Sequence, residues 1–116
     1  MEWTGLDQRN FPRIAVACDI SIREHKNGGI KATTENLGAG GVCVILAKEL
    51  EKLSEVRLRL TLDQNRSAVE CDGRIVWTVR SKDPASQKVT YDTGIEFVNL
   101  KEDDRRSILS MTENRS

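Results

Sequence analysis

At 116 residues the chain can build one hydrophobic core and has no room for a second. Lysine plus arginine and aspartate plus glutamate both number 18, so the formal net charge is +0. That balance argues against a protein gripping duplex DNA through many phosphates, while a local basic site for a small anion stays open.

The first segment of interest is Gln8-Arg9-Asn10-Phe11-Pro12-Arg13, which carries two arginines four apart. Pro12 lacks a donor and biases Phe11 toward extended geometry, so the segment reads as an arm rather than a helix. Residues 1–13 are expected to form a mobile N-terminal arm, with the folded unit over 14–116. Ile14, Val16, Cys18, Ile20 and Ile22 alternate with Ala15, Ala17, Asp19, Ser21 and Arg23, the pattern of a half-buried strand. Asn27-Gly28-Gly29 reads as a hairpin tip, returning through a strand from Ile30 to Thr34. The glycine turn Asn36-Leu37-Gly38-Ala39-Gly40-Gly41 then opens the continuously apolar run Val42 to Leu46, as expected of a strand covered on both faces.

Val56, Leu58, Leu60 and Leu62 form the next alternating run. Past Asp63-Gln64-Asn65, a strand from Ser67 to Trp77 is interrupted by Gly73, which suggests a bulge or bend. Lys82 to Lys88 reads as a loop, and Val89 to Val98 as the last strand. Asn99 is placed to cap a helix, with Glu102 as reciprocal partner and Asp103 and Asp104 suited to its positive end. Ile108, Leu109 and Thr112 share one helix face, too short to stand alone and therefore expected to pack on the sheet. Short strands with tight turns predict an antiparallel barrel or sandwich plus a terminal helix.

The chemistry-bearing residues narrow the choice further. Cys18, Cys43 and Cys71 have no C-x-x-C spacing and fall in apolar runs, so they read as reduced core cysteines. With only His25 to add, they make no zinc set, and His25 beside a turn has no nucleophile arranged around it. Trp77 reads as core, with an edge location near the recognition site as the alternative. No segment has the features of a signal peptide, and no apolar run approaches the roughly 20 residues that span a bilayer. A cytoplasmic chain without membrane insertion is the expectation. Arg9 and Arg13 supply planar forks of donors that match phosphate oxygens and the O6/N7 edge of guanine. The turn from Gly38 to Gly41 lets backbone N–H groups approach a ligand closely. Each motif alone has a plain reading, a solvated arginine pair and a tight turn. Together they suggest recognition of a small phosphorylated nucleotide.

The order of features resembles the PilZ domain family, whose pattern is R-x-x-x-R followed by D/N-x-S-x-x-G. Arg9-Asn10-Phe11-Pro12-Arg13 matches the first part fully, and Asn36-Leu37-Gly38-Ala39-Gly40-Gly41 the second, with glycine where the family has serine. Gly73-Arg74-Ile75-Val76-Trp77 and Gly94-Ile95-Glu96-Phe97 also look like the family's later strands. The resemblance implies a six-stranded antiparallel β-barrel with a short C-terminal helix that binds the bacterial second messenger cyclic di-GMP. It further implies no enzymatic activity, no cofactor, and relay to a downstream protein partner, by family analogy in motility, adhesion or exopolysaccharide machinery. By position, Arg9 and Arg13 would clasp phosphates and guanine edges, Asn36 would bond a guanine, and the turn through Gly38 and Gly41 would offer backbone donors. Two rivals stand beside it: a degenerate adaptor of the family acting by protein contacts alone, and a barrel binding single-stranded nucleic acid. The second is disfavoured by neutral charge and by the 4% aromatic content.

Overall fold

In the computed structural model of the chain, the structure describes residues 13–14, 17–24, 28–62 and 68–115, with side-chain surroundings for 17–24, 28–62 and 68–110. In chain order the elements are β1 (Arg13–Ile14), β2 (Asp19–Arg23), β3 (Gly29–Gly38), β4 (Gly41–Leu46), β5 (Glu55–Thr61), β6 (Val69–Lys82), β7 (Val89–Val98) and α1 (Glu102–Arg115). All pairings are antiparallel, in the order β1-β3-β2-β5-β6-β7-β4, and a further β3–β4 pairing closes β2 to β7 into a six-stranded barrel. The fold expected from the pattern and the resemblance is the fold observed.

Period-two alternation decides what fills the barrel. Ile20 and Ile22 of β2, Val56, Leu58 and Leu60 of β5, and Val69, Cys71 and Ile75 of β6 are all buried in one core cluster. At roughly 1.5–3 kcal/mol per large apolar side chain, burial of this set drives barrel closure. The outward positions of β5 and β6 carry charges that neutralise each other across the strands. Arg57 meets Asp72 at 3.1 Å and Arg59 meets Glu70 at 2.6 Å, both exposed, which adds solubility and little stability. Helix α1 buries Ile108 in the core and lies against β1 and β3, as its short apolar face requires.

Several local expectations are corrected. The run from Ile14 to Ile22 is not one strand: β1 ends at Ile14 and β2 begins at Asp19. Cys18, between them, gives its carbonyl to the Thr34 amide and its amide to the Thr34 hydroxyl, each at 2.9 Å. The returning strand runs to Gly38 rather than stopping at Thr34, because a bulge between Thr34 and Asn36 lets it bend and continue. Strand β4 is not covered on both faces, since Ile45 is 41% exposed. Strand β5 stops at Thr61, so Leu62 lies beyond it.

Gly73 does not mark a bulge, since the register runs through it unbroken on both sides. A Cβ there would stand 2.7 Å from both Leu58 and Ile95 side chains, so glycine makes room for the core, and the bulge of β6 falls between Ile75 and Trp77. Asn99 is not the helix cap. It has a left-handed φ of 60°, turning the chain out of β7, and the Lys101 carbonyl accepts the first helical bond, from Arg105 at 2.9 Å. His25, Asn27 and the link at 63–65 lie outside the described residues.

The three cysteines are buried and in no disulfide; Cys18 and Cys71 lie in the core cluster, as expected, and Cys43 does not. Burial pushes the Cys71 thiol up from its ordinary 9.0 to about 11, with Arg57 opposing the shift and Asp72 and Asp104 adding to it. The folded chain thus keeps this proton where the unfolded chain sheds it, so stability falls as pH rises between the two values. Between pH 8 and 10.5 urea unfolding under reducing conditions should show about 2 kcal/mol lost through this group. Cys71→Ala, starting from a lower stability, should lack that part of the pH dependence. Equal slopes in both proteins would contradict a thiol held neutral by the core.

Candidate functional site

The two sequence motifs meet through one short pairing. Strand β1 runs antiparallel to the end of β3, with Arg13 across from Gly38 and Ile14 across from Leu37. The last arginine of the arm motif is therefore fixed beside the glycine turn, some two dozen residues away in sequence. Arg9 lies outside the described residues.

Asn36 is half-buried and follows the bulge of β3. Its neighbour Leu37 is fully buried in the core, so the amide belongs to the outer face. Gly38 is buried beside β1. The turn at Ala39 and Gly40 is held by the Phe97 amide donating to the Gly40 carbonyl at 3.0 Å. Gly41 is obligatory for packing: a Cβ there would run into the Ile95 carbonyl oxygen and stand 3.3 Å from the Glu96 Cα. The turn thus lies flat against β7, with backbone rather than side chains forming its surface.

The sheet register extends this site across four strands. Asn36 pairs with Cys43, Cys43 with Gly94, and Gly94 with Trp77. Directly opposed residues share a face, and the neighbours Val42, Val44 and Ile95 all point into the core. The row is therefore on the outside, where Cys43 is buried yet not part of the core cluster. Successive strands lie about 4.8 Å apart, so the row spans roughly 14 Å. The Trp77 ring lies over Gly94, occupying the space a Cβ would need, with the indole Nε1 and Cε2 in closest contact. The indole thereby leans from β6 toward β4 and the amide of Asn36. The result is an outer surface with an aromatic plate at one end, an amide and a glycine turn at the other, and Arg13 beyond.

Trp77, which sequence reasoning placed in the core with an edge location as the alternative, is half-buried on the outer face. The missing signal was register. The bulge after Ile75 reverses the phase of β6, and the glycine opposite Trp77 stands seventeen positions later, at Gly94. No group of three His, Cys, Asp or Glu among the described residues is arranged to hold a metal ion. None of the described helices is long and apolar enough to cross a membrane.

A family model described as the PilZ domain matches residues 7–114. Among solved structures, the Bacillus subtilis inhibitor of motility MotI/DgrA is similar with a TM-score of 0.77 at 22% identity, over 95% of this chain and 51% of its own. The Escherichia coli YcgR PilZ domain with c-di-GMP superposes with a TM-score of 0.73 at 16% identity, covering 94% of this chain and 95% of that one. The K. pneumonia MrkH–c-di-GMP complex gives 0.73 at 17% identity, over 95% and 52%. The chain thus spans about half the length of MotI/DgrA and MrkH. No sequence among curated proteins matches it.

The fit of Trp77 to Gly94 can be tested without any ligand. Gly94→Ala places a methyl group where the ring lies, and should cost about 1–3 kcal/mol in urea unfolding, the usual range for overpacking. In a Trp3→Phe background, the emission of Trp77 should also shift as the ring is displaced. Unchanged stability with an unchanged spectrum would remove the ring from Gly94.

Proposed function

The chain belongs to the PilZ domain family, and from that membership we propose that it is a non-enzymatic receptor for cyclic di-GMP which passes the signal to a protein partner. One observation carries the reading: the β1–β3 pairing that sets Arg13 across from Gly38 and so joins the two halves of the recognition motif. The outer row supplies what the ligand's chemistry asks for. Two phosphate charges call for arginine forks, and a guanine edge calls for an amide and backbone donors. A purine face calls for an aromatic plate such as Trp77, a contact of roughly 1–3 kcal/mol per base. Arg9, Arg13, Asn36, Gly38, Gly41 and Trp77 are the proposed binding residues. The c-di-GMP complexes of the YcgR PilZ domain and of MrkH support the ligand assignment by likeness of fold. No cofactor is required, and a soluble cytoplasmic site would give access to the messenger.

The second reading is an adaptor of the same family that has lost nucleotide binding. It is favoured by Gly38, where the family has serine. Titration calorimetry with cyclic di-GMP, run beside Trp77 fluorescence, separates the two. Heat with quenching of Trp77 supports the receptor; neither, with ligand in large excess, leaves the adaptor.

For the arm, Arg9→Ala and Arg13→Ala are each expected to weaken binding by about one to two decades, the loss of one charge-assisted contact of roughly 1.5–3 kcal/mol. Arg→Lys should recover little, since an ammonium cannot reproduce the planar fork. Wild-type affinity in Arg13→Ala, measured by the same calorimetry, would remove that residue from the site.

The glycine at position 38 makes a separate prediction. Serine there would add one hydrogen bond worth roughly 0.5–1.5 kcal/mol, so Gly38→Ser should raise affinity by up to about tenfold. Because Gly38 is buried under β1, the melting temperature must be measured alongside. Higher affinity at unchanged melting temperature marks a weakened receptor. No change in either would mean that position 38 does not face the ligand.

A further inference from the structure

Strand β6 outruns its neighbour. Strand β5 pairs with it only as far as Arg74, and Ile75 closes that edge by bonding to Ser54 at 3.0 Å and Leu53 at 2.7 Å. Among the described residues, β6 from Val76 onward is paired on one side alone, with β7. The phase of that ladder follows from the turn, where the Asp83 amide donates to the Lys88 carbonyl at 2.8 Å. Counting back through Lys82↔Val89, Arg80↔Tyr91 and Thr78↔Thr93, antiparallel alternation turns the backbone groups of Ser81 and Val79 toward β7. Those of Thr78, Arg80 and Lys82 face the open edge.

The side chains along this edge are patterned too. Arg80 and Lys82 are exposed and, among the described residues, enter no ion pair, whereas Arg57, Arg59 and Arg74 on the flanking ladder all have carboxylate partners. Trp77 and Val79, half-buried, occupy the alternate positions. Open edges are aggregation hazards, and charges along them are the usual guard. Here the guard has one sign. Two copies paired edge to edge would set Arg80 and Lys82 against their own counterparts, and like charges across strands are destabilising.

We propose that the open edge of β6 from Thr78 to Lys82 is a docking strand, accepting by β-addition an extended segment of another protein in which acidic and apolar residues alternate. Main-chain bonds to Thr78, Arg80 and Lys82 supply affinity. Carboxylates opposite Arg80 and Lys82, with apolar side chains toward Trp77 and Val79, supply selectivity. This takes up the partner half of the receptor reading and stands without the nucleotide half, so the test is run with no nucleotide present.

The full ¹⁵N-labelled chain is titrated with an eight-residue peptide of alternating glutamate and valine. The amides of Thr78, Arg80 and Lys82 should shift, and their hydrogen exchange should slow at least about tenfold. The same peptide with lysine in place of glutamate should leave them unchanged. Arg80→Pro removes an edge N–H that β7 does not use and should abolish binding, with the remaining barrel amides in place. The pair Arg80→Gln and Lys82→Gln keeps the backbone and should weaken binding most at low salt. No protection at millimolar peptide overturns the proposal, as does wild-type binding by Arg80→Pro or protection mapping to another strand. Concentration-dependent dimers abolished by Arg80→Pro would also overturn it, assigning the edge to a second copy.

Discussion

Strand β3 changes partners halfway along its length, and the rest of the molecule depends on that exchange. Its first residues pair with β2, from Asp19↔Thr33 to Arg23↔Gly29. At Thr34 the register shifts, and the strand continues against β4 on one edge and β1 on the other. The bulge lies within the β3–β4 seam, with Thr34↔Val44 before it and Asn36↔Cys43 after it. Thr34 stands at the hinge with its hydroxyl buried and accepting from the Cys18 amide, while its own amide bonds the Cys18 carbonyl. Those two bonds satisfy the backbone where β1 and β2 part, at a place where an unpaired buried group would cost roughly 1–3 kcal/mol.

The candidate site is a by-product of this closure. Once β4 is seated between β3 and β7, the register carries a straight row from Asn36 through Cys43 and Gly94 to Trp77. Two glycines make the row flat for different reasons. Gly41 admits the backbone of β7, and Gly94 admits the face of an indole. In a chain with only 4% aromatic residues, a tryptophan laid on the outside over a glycine is unusual use of a large apolar group. Under the proposed reading, stacking a flat ligand would give that placement a physical purpose that core packing does not.

The sequence made the inward residues legible because alternation is local. Ile20, Ile22, Leu58, Leu60 and Cys71 needed only a period of two and a core to bury them. The last strand, Val89 to Val98, was likewise readable end to end. What escaped was set by partners distant in sequence. The break around Cys18 exists because Thr34 bonds there, and the left-handed turn at Asn99 exists because α1 must double back onto β1 and β3. The phase of Trp77 depends on a bulge that no single residue announces. Gly73 misled for a related reason, since its meaning lies in the Leu58 and Ile95 side chains beside it rather than in its own backbone. Of the proposed site, the motif halves were visible in the sequence, and the pairing of β1 with β3 sets Arg13 across from Gly38. Arg9 lies outside what the structure describes.

Strand β6 joins the two surfaces discussed here. The indole of Trp77 looks over the outer row, and the next residue, Thr78, begins the open edge. A ligand on the first surface and a strand on the second would therefore act on consecutive residues of one ribbon. The bulge between Ile75 and Trp77 is the one irregularity in that ribbon, and it sits where the barrel wall ends and the two-stranded extension begins. Coupling between the surfaces requires a difference in affinity between two arrangements of this segment, and such coupling is reciprocal. If ordering of Trp77 against Gly94 and ordering of the edge belonged to one arrangement, each would favour the other. Such coupling would need no long pathway through the core, because both surfaces rest on neighbouring peptide units.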